Sequence, residues 1–240
     1  MVKNFKKYFF LIVILLIPIL LIQQWSKRAS HFFKDLGYKT QEIVSVENEI
    51  LVKTIDTVKV PRFKFLNLIS DSISDFELLG NNYIIQFFFT ACPTICPAST
   101  INIRNEIHKK FKDVDDLKII SISIAEDPTD RMLDYARKFN IIDTISTYSP
   151  NWLFLTGDRD KVWSFANELT LSAGIGAEEE GGFFHSPFLV LVDKYGFIRT
   201  GIDKQKNIKP VWDATSISDT QLLSEDISQL FFNQNKPYKE

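Results

Sequence analysis

The sequence predicts an α/β domain built on a mixed sheet. Apolar runs at 83–89, 117–124 and 152–155 alternate with stretches of helical periodicity, which is the arrangement typical of α/β domains. A turn at 194–196 then joins two further apolar runs as a hairpin. Strands joined by helices and strands joined by a hairpin together indicate a mixed sheet, and a last predicted helix closes the domain.

The composition is that of a globular protein and argues against several other classes of protein. A chain of 240 residues suits one substantial domain with an appendage, and 45% hydrophobic with 24% charged residues is ordinary. The net charge of −2 gives no indication of nucleic-acid binding. Two cysteines do not form a disulfide scaffold, and three histidines with two methionines leave little room for a His-rich or Met-rich metal tract.

Residues 1–28 have the pattern of a cytoplasmic tip followed by a membrane anchor. Three lysines precede the apolar run 8–22, and Trp25, Lys27 and Arg28 follow it. The run is shorter than the roughly 20 residues that span a bilayer, but interfacial aromatics and snorkelling lysines can extend it. A cleaved signal peptide is the alternative, although no clean cleavage site follows. Either reading exports the rest of the chain to an oxidising compartment.

The remaining chain divides into three parts. Residues 29–58 are predicted to be a spacer, because their charge is mixed and their periodicity weak. Residues 59–235 are predicted to form the globular domain, and 236–240 a frayed tail.

The elements of the domain follow from local patterns. Strands are predicted at 60–68, 83–89, 117–124, 152–155, 188–193 and 197–200. Helices are predicted from Pro97 to about 111, from Pro128 to about 139 with Asp127 as the cap, from Asp158 onward, and from a Ser218/Gln221 capping box to about 232.

The chain's two cysteines, Cys92 and Cys96, lie in the connection between a buried strand and the helix that begins near Pro97. On a helical turn this spacing puts the Cβ atoms roughly 5–6 Å apart, whereas a relaxed disulfide needs about 3.5–4.5 Å. A metal ion bridges the wider gap through metal–sulfur bonds of about 2.3 Å. The nearby helix N-terminus favours the thiolate form. The spacing favours a metal site and leaves a redox pair or two inert buried thiols open.

One histidine is placed to join the cysteines. His185 ends a glycine-containing loop, 173–184, just before an apolar strand. In α/β domains the working groups gather in loops beyond the strand ends, so the cysteine turn and this loop are expected to lie within reach of each other. His108, among lysines, is predicted to be an exposed helix residue, and His31 an interfacial or solvated one. The acidic tip 178–180 is predicted to be solvated or to contact a basic partner.

These features together resemble the Sco/SenC family. A strand ending in Phe-Phe-Phe-Thr runs into Cys-Pro-x-x-Cys-Pro, and the segment 123–131, Ser-Ile-Ala-Glu-Asp-Pro-Thr-Asp-Arg, is similar to the family's acidic Asp-Pro segment. Leu-Thr-Gly-Asp follows at 155–158, and His185 precedes a strand that ends in Asp-x-x-Gly. The resemblance covers about 60–203 and the N-terminal anchor, while 204–217 matches nothing in the family pattern.

The resemblance implies a thioredoxin-like fold and a copper site formed by Cys92, Cys96 and His185. Two thiolates and an imidazole suit Cu(I) in a three-coordinate site and can also hold Cu(II). It further implies a copper chaperone of cytochrome c oxidase assembly, with the oxidase copper subunit as acceptor. The protein would sit in a bacterial inner membrane with its C-terminal domain in the periplasm. Oxidation of the two thiols to a disulfide would abolish copper binding and so gate loading.

Other readings of the same residues remain. Thr94 stands where many family members carry an acidic residue, so it cannot supply an anionic neighbour to the site. A thiol–disulfide oxidoreductase would use only Cys92 and Cys96, and could keep the oxidase cysteines reduced before metal insertion, although such enzymes usually carry Cys-x-x-Cys. A peroxidase would need a separate resolving cysteine. A structural zinc site would need a fourth ligand, which neither His31 nor His108 is positioned to provide.

Overall fold

The computed structural model describes residues 16–19, 23, 36–47, 50–143, 145–146, 148–178, 181–203 and 205–234. The chain forms two units, one comprising 1–35 with 229–240 and the other 36–228. The described parts of the first unit are helical. The second unit carries the predicted domain.

Fourteen strands are present among the described residues. In chain order they are β1 (Gly37–Tyr38), β2 (Thr40–Glu47), β3 (Ile50–Thr57), β4 (Lys64–Leu66), β5 (Ser72–Ser74), β6 (Asn82–Phe88), β7 (Leu117–Ser123), β8 (Trp152–Leu155), β9 (Ala173–Ile175), β10 (Phe183–His185), β11 (Phe188–Val192), β12 (Ile198–Ile202), β13 (Ile208–Lys209) and β14 (Trp212–Asp213).

Four helices accompany the strands in the described parts of the second unit. The first, α1, runs through Ile95–Ile103, a π-helical turn at Arg104–His108 and a last turn at Lys109–Phe111. The others are α2 (Thr129–Lys138), α3 (Arg159–Glu168) and α4 (Ile217–Gln234), whose last residues belong to the first unit.

An eight-stranded mixed sheet organises the second unit and confirms the predicted α/β class. Its order is β1-β12-β11-β6-β7-β8, with β13 beside β12 and β14 beside β11. The strand β6 is buried along its whole length, as expected for a central strand covered on both faces. Aromatic rings fill part of the core: Phe165 of α3 lies 4.9 Å from Phe63 and 6.2 Å from Phe87, centroid to centroid.

The strand directions place the functional residues at one edge of the sheet. The strands β6, β7 and β8 are parallel, so their C-terminal ends share an edge. The strand β11 is antiparallel to β6 and therefore begins at that same edge. The turn that follows β6 and the residues that precede β11 consequently meet there. The predicted proximity of the cysteine turn and the segment ending in His185 has this topological cause.

The described residues of the predicted spacer 29–58 contain strands. Gly37 and Tyr38 form the edge strand β1, which pairs with β12, and β2 and β3 form an antiparallel pair of eight residues each. The guanidinium of the buried Arg199 holds this segment, donating to the carbonyl of Leu36 at 2.6 Å and of Gly37 at 3.1 Å. The compact unit therefore begins at Leu36 rather than at residue 59.

Two predicted caps are also corrected. Asp127 makes no capping bond to α2, whose N-cap position is occupied by Pro128. At the start of α4, the hydroxyl of Ser216, not that of Ser218, accepts from the backbone amide of Asp219 at 3.3 Å. The helix predicted from Asp158 onward is α3, and Asp158 is its cap, because its side chain accepts from the amide of Lys161.

The predicted anchor lies largely outside the described residues, as do His31 and the tail 236–240. Only 16–19 of its apolar run 8–22 are described, and they are helical. Within the described ranges, no helix has both the length and the apolar character needed to cross a bilayer.

Candidate metal centre

The two cysteines lie on either side of the start of α1. The backbone amide of Cys92 donates to the carbonyl of Phe89 at 3.3 Å, which closes the turn after β6. Cys96 is the second residue of α1, so the helix begins two residues before the predicted Pro97. Both thiols are free and buried, with 7% of Cys92 and 1% of Cys96 exposed. The backbone amide of Cys96 donates to the sulfur of Cys92 at 3.4 Å.

His185 reaches the cysteines from a hairpin that the sequence did not predict. The segment 173–184, expected to be a loop, contains the antiparallel strands β9 and β10, in which His185 pairs with Ala173. The imidazole is 6% exposed, and its Nδ1 lies 2.9 Å from the carbonyl oxygen of Ser186. A carbonyl only accepts, so Nδ1 carries the proton and Nε2 presents its lone pair. Nε2 lies 3.0 Å from the sulfur of Cys96, whose thiol donates to it.

The sulfurs of Cys92 and Cys96 and a ring nitrogen of His185 all lie within 4.8 Å of one another. In a trigonal site with ligand bonds of about 2.0–2.3 Å, neighbouring donors are about 3.5–4 Å apart. The three atoms therefore need only small shifts to bind one ion. Two soft sulfurs and one borderline nitrogen are the donor set that suits copper. Within the described part of the chain, this is the one cluster of His, Cys, Asp or Glu side chains with such proximity.

The two thiols are electrostatically different. The adjacent Cys96 side chain, and then His185 and backbone amides, lower the pKa of Cys92 to about 3 against the opposing effect of burial. Burial, followed by the adjacent Cys92, raises the pKa of Cys96 above its ordinary value. Cys92 is therefore the thiolate of the pair and Cys96 the protonated partner. The same asymmetry prepares Cys92 both for metal binding and for nucleophilic attack.

Aromatic packing and a glycine hold the hairpin against the cysteine turn. The ring of Phe89, which is 2% exposed, lies 5.8 Å from that of Phe183 and 6.1 Å from that of His185 in edge-to-face geometry. Gly181 has a φ of +89°, and a Cβ at this position would lie 2.8 Å from Phe89 Cε2 and 3.0 Å from the carbonyl oxygen of Ala91. The close approach of the hairpin and the turn therefore requires glycine there.

Other sequence candidates lie outside the cluster. His108 is half-buried rather than exposed, because its ring packs edge-on against Trp152 at 5.3 Å. Burial, followed by the charge of Arg104, lowers the pKa of His108. Thr94 is exposed at the N-cap position of α1 and makes no capping bond through its side chain.

The comparisons with known proteins agree with this fold. The family model described as SCO1/SenC matches residues 53–217. The SCO1 protein homolog of Bacillus subtilis (strain 168) is 35% identical over 110 residues, which are 45% of this chain and 54% of that protein. The match thus spans about half the length of this relative.

Solved structures show the same fold. The crystal structure of Arabidopsis thaliana ScoI with copper bound has a TM-score of 0.55 at 19% identity, covering 73% of this chain and 99% of that one. The structure of BsSco, described as a member of the Sco family of cytochrome c oxidase assembly proteins with a disulfide switch, has a TM-score of 0.50 at 26% identity and covers 69% of this chain and 93% of that one. Because the family model matches well over half of its residues, the chain belongs to the SCO1/SenC family.

Proposed function

We propose that this protein is a copper chaperone that binds one copper ion through the sulfurs of Cys92 and Cys96 and Nε2 of His185. It delivers the ion to the copper subunit of a cytochrome c oxidase. The observation that carries the proposal is the convergence of three donors, from segments 89 positions apart, within 4.8 Å of one another. Relatives described as copper-bound or as oxidase assembly proteins support the choice of metal and acceptor.

The arrangement of the site suits a copper ion that is bound and later released to another protein. The imidazole is already oriented, because its Nδ1–H is bound to the carbonyl of Ser186. Copper exchanges for the proton that Cys96 donates to His185, so the ion takes the place of a hydrogen bond that exists in the metal-free protein. Three protein donors leave a coordination position for a ligand of the acceptor, and transfer then proceeds by stepwise ligand exchange.

The proposed location follows from the N-terminal sequence. Residues 1–28 anchor the chain as a single pass in a bacterial inner membrane, with the C-terminal domain in the periplasm. An apolar run flanked by lysines and aromatic residues supports this placement. Membrane fractionation with alkaline extraction tests it: the full-length protein should stay in the membrane, and a protein lost to the supernatant would contradict the anchor.

Copper transfer itself is tested with the loaded, reduced protein and the metal-free soluble copper domain of an oxidase subunit. After transfer and oxidation of the acceptor in air, the visible absorption of its copper centre should appear with wild-type donor and be absent with the His185→Ala donor. A His185→Ala protein that kept tight one-to-one binding would contradict the ligand assignment. Wild-type protein that binds copper but leaves the acceptor spectrum unchanged would contradict delivery.

A thiol–disulfide reductase is the second candidate, and the lowered pKa of Cys92 beside the protonated Cys96 favours it. The Cys92 thiolate would attack a disulfide of the acceptor and form a mixed disulfide. Cys96 would then release the acceptor as a dithiol, leaving a Cys92–Cys96 disulfide in this chain. Reduction of an acceptor disulfide by copper-free protein that persists in His185→Ala would favour this role. Loss of that reduction on His185 replacement would count against it.

A further inference from the structure

A buried carboxylate bonds to Thr90, within the turn that leads to Cys92. Asp127 is 5% exposed. Its Oδ2 accepts from the backbone amide of Thr90 at 2.9 Å and from the hydroxyl of Ser123 at 2.8 Å, and its Oδ1 accepts from the hydroxyl of Thr90 at 2.5 Å. All three donors are neutral. The carboxylate therefore joins two segments that are separated by more than thirty residues in sequence.

These hydrogen bonds continue the attachment of β6 to β7 beyond the point where the ladder ends. The last ladder pair is Phe88 with Ser123, and the amide of Ile124 still reaches the carbonyl of Phe88 at 3.0 Å. Thr90 lies two residues after Phe88, beyond the end of the ladder, and Asp127 accepts from both its amide and its hydroxyl.

The hydroxyl of Ser123 is aimed at the carboxylate by its surroundings. Its oxygen accepts from the backbone amides of Ala125 and Asp127, each at 3.2 Å. With its lone pairs used in this way, the hydroxyl proton is free to donate to Asp127. A buried polar network in which each group is satisfied holds its members in one arrangement.

We propose that Asp127 is a positioning residue for the copper ligand Cys92. By holding Thr90, it fixes the first part of the turn, so that the sulfur of Cys92 stays beside Cys96 and His185 before copper arrives. The inference rests on the proposed function and adds to it a residue that touches neither the ion nor its ligands.

Two substitutions distinguish the effect of the hydrogen bonds of Asp127 from the effect of its charge. Asp127→Asn can keep the three hydrogen bonds, because its oxygen can accept from the Thr90 amide and the Ser123 hydroxyl while its NH₂ donates to the Thr90 hydroxyl. Asp127→Ala loses all three. Loss of a group that orients metal ligands typically lowers metal affinity by about 10- to 100-fold. We expect that range for Asp127→Ala and a change of less than about threefold for Asp127→Asn.

Ser121 provides a matched control on the same strand, two residues before Ser123 and on the same face. Its hydroxyl oxygen accepts from Gln86 Nε2 at 2.6 Å and from Trp152 Nε1 at 2.8 Å, so it too belongs to a buried network. Ser121→Ala should lower the thermal stability without changing copper affinity. Ser123→Ala should lower both, because it removes one donor from Asp127.

The experiment measures Cu(I) affinity by anaerobic chelator competition and, without copper, the alkylation rates of Cys92 and Cys96 by mass spectrometry. In Asp127→Ala, affinity should fall at least tenfold and Cys96 should alkylate at least tenfold faster, because a loosened turn uncovers it. The positioning role would be overturned if a folded Asp127→Ala kept the wild-type copper affinity and the wild-type alkylation rate of Cys96. It would also be overturned if Ser121→Ala lost as much copper affinity and alkylated as fast as Asp127→Ala. A fall in Asp127→Asn as large as in Asp127→Ala would assign the effect to charge and also overturn it.

Wild-type protein that binds no copper would end the proposed function, while the alkylation rates of the copper-free variants still test the positioning role. If Asp127→Ala does not fold, Thr90→Val takes its place, because it removes one hydroxyl at nearly constant shape. Its affinity should fall about threefold or more, and unchanged affinity and alkylation would overturn the inference.

Discussion

Replacing Gly181 by alanine tests whether the β9–β10 hairpin must lie against the cysteine turn for copper to bind. A Cβ at Gly181 would lie 2.8 Å from Phe89 Cε2. The neighbouring Gly182 has a similar φ, +82° against +89°, but a Cβ there would meet nothing within 4 Å. Both alanines carry the cost of a positive φ, about 1–2 kcal/mol. Only Gly181→Ala adds a clash, so Gly182→Ala is its matched control.

The size of the effect follows from the packing. The ring of Phe89 is 2% exposed and closely packed, so we expect the hairpin, rather than the ring, to move away from the added Cβ. Overpacking of this kind costs about 1–3 kcal/mol. His185 lies four residues after Gly181, so copper binds all three ligands only when the hairpin returns to its wild-type position. The overpacking energy then opposes copper binding. At about 1.4 kcal/mol for each factor of ten, copper affinity should fall roughly 5- to 150-fold.

The assay is anaerobic Cu(I) competition against a chelator of known affinity, run beside urea unfolding for the wild type and both variants. Both variants should be less stable than the wild type, and only Gly181→Ala should lose copper affinity. Equal copper affinities for Gly181→Ala and Gly182→Ala would show that the contact between the hairpin and the cysteine turn has no part in copper binding.

Three further predictions concern single residues. Cys92, with its pKa lowered to about 3, should alkylate at a nearly constant rate between pH 5 and 8 in mass-spectrometric assays; a tenfold fall per pH unit below pH 8 would contradict its thiolate character. Asp158→Ala removes the hydrogen bond from the Lys161 amide at the start of α3 and should cost about 1 kcal/mol in urea unfolding, with copper affinity unchanged. Arg199→Met leaves the buried Asp193 without its partner at 3.0 Å and should cost about 3–5 kcal/mol, whereas a loss below 1 kcal/mol would show that the pair is not important for stability.

Local patterns were sufficient for the elements that depend on neighbours in sequence. The strand 152–155 was predicted to the residue, because an apolar run is bounded on both sides by polar and turn residues. The placement of the cysteine turn at a strand end follows from periodicity, and the strand-end rule together with the family motif pointed to His185.

Long-range contacts explain what the sequence did not reveal. Asp127 fits the pattern of a helix cap, but a partner 37 residues away, Thr90, takes its carboxylate. The segment 173–184 resembles a loop because of its glycines, yet those glycines let β9 and β10 approach each other and the turn. The strand β1 has only two residues, and its place in the sheet depends on Arg199, far along the chain.

X-ray absorption at the copper edge of the reduced one-to-one complex tests the Cys92–Cys96–His185 ligand set, because it counts sulfur and nitrogen ligands together. We expect one copper per chain with two sulfur ligands and one histidine nitrogen, and loss of the nitrogen in His185→Ala. A sulfur-only shell in the wild type, or a spectrum unchanged by replacement of His185, would contradict it.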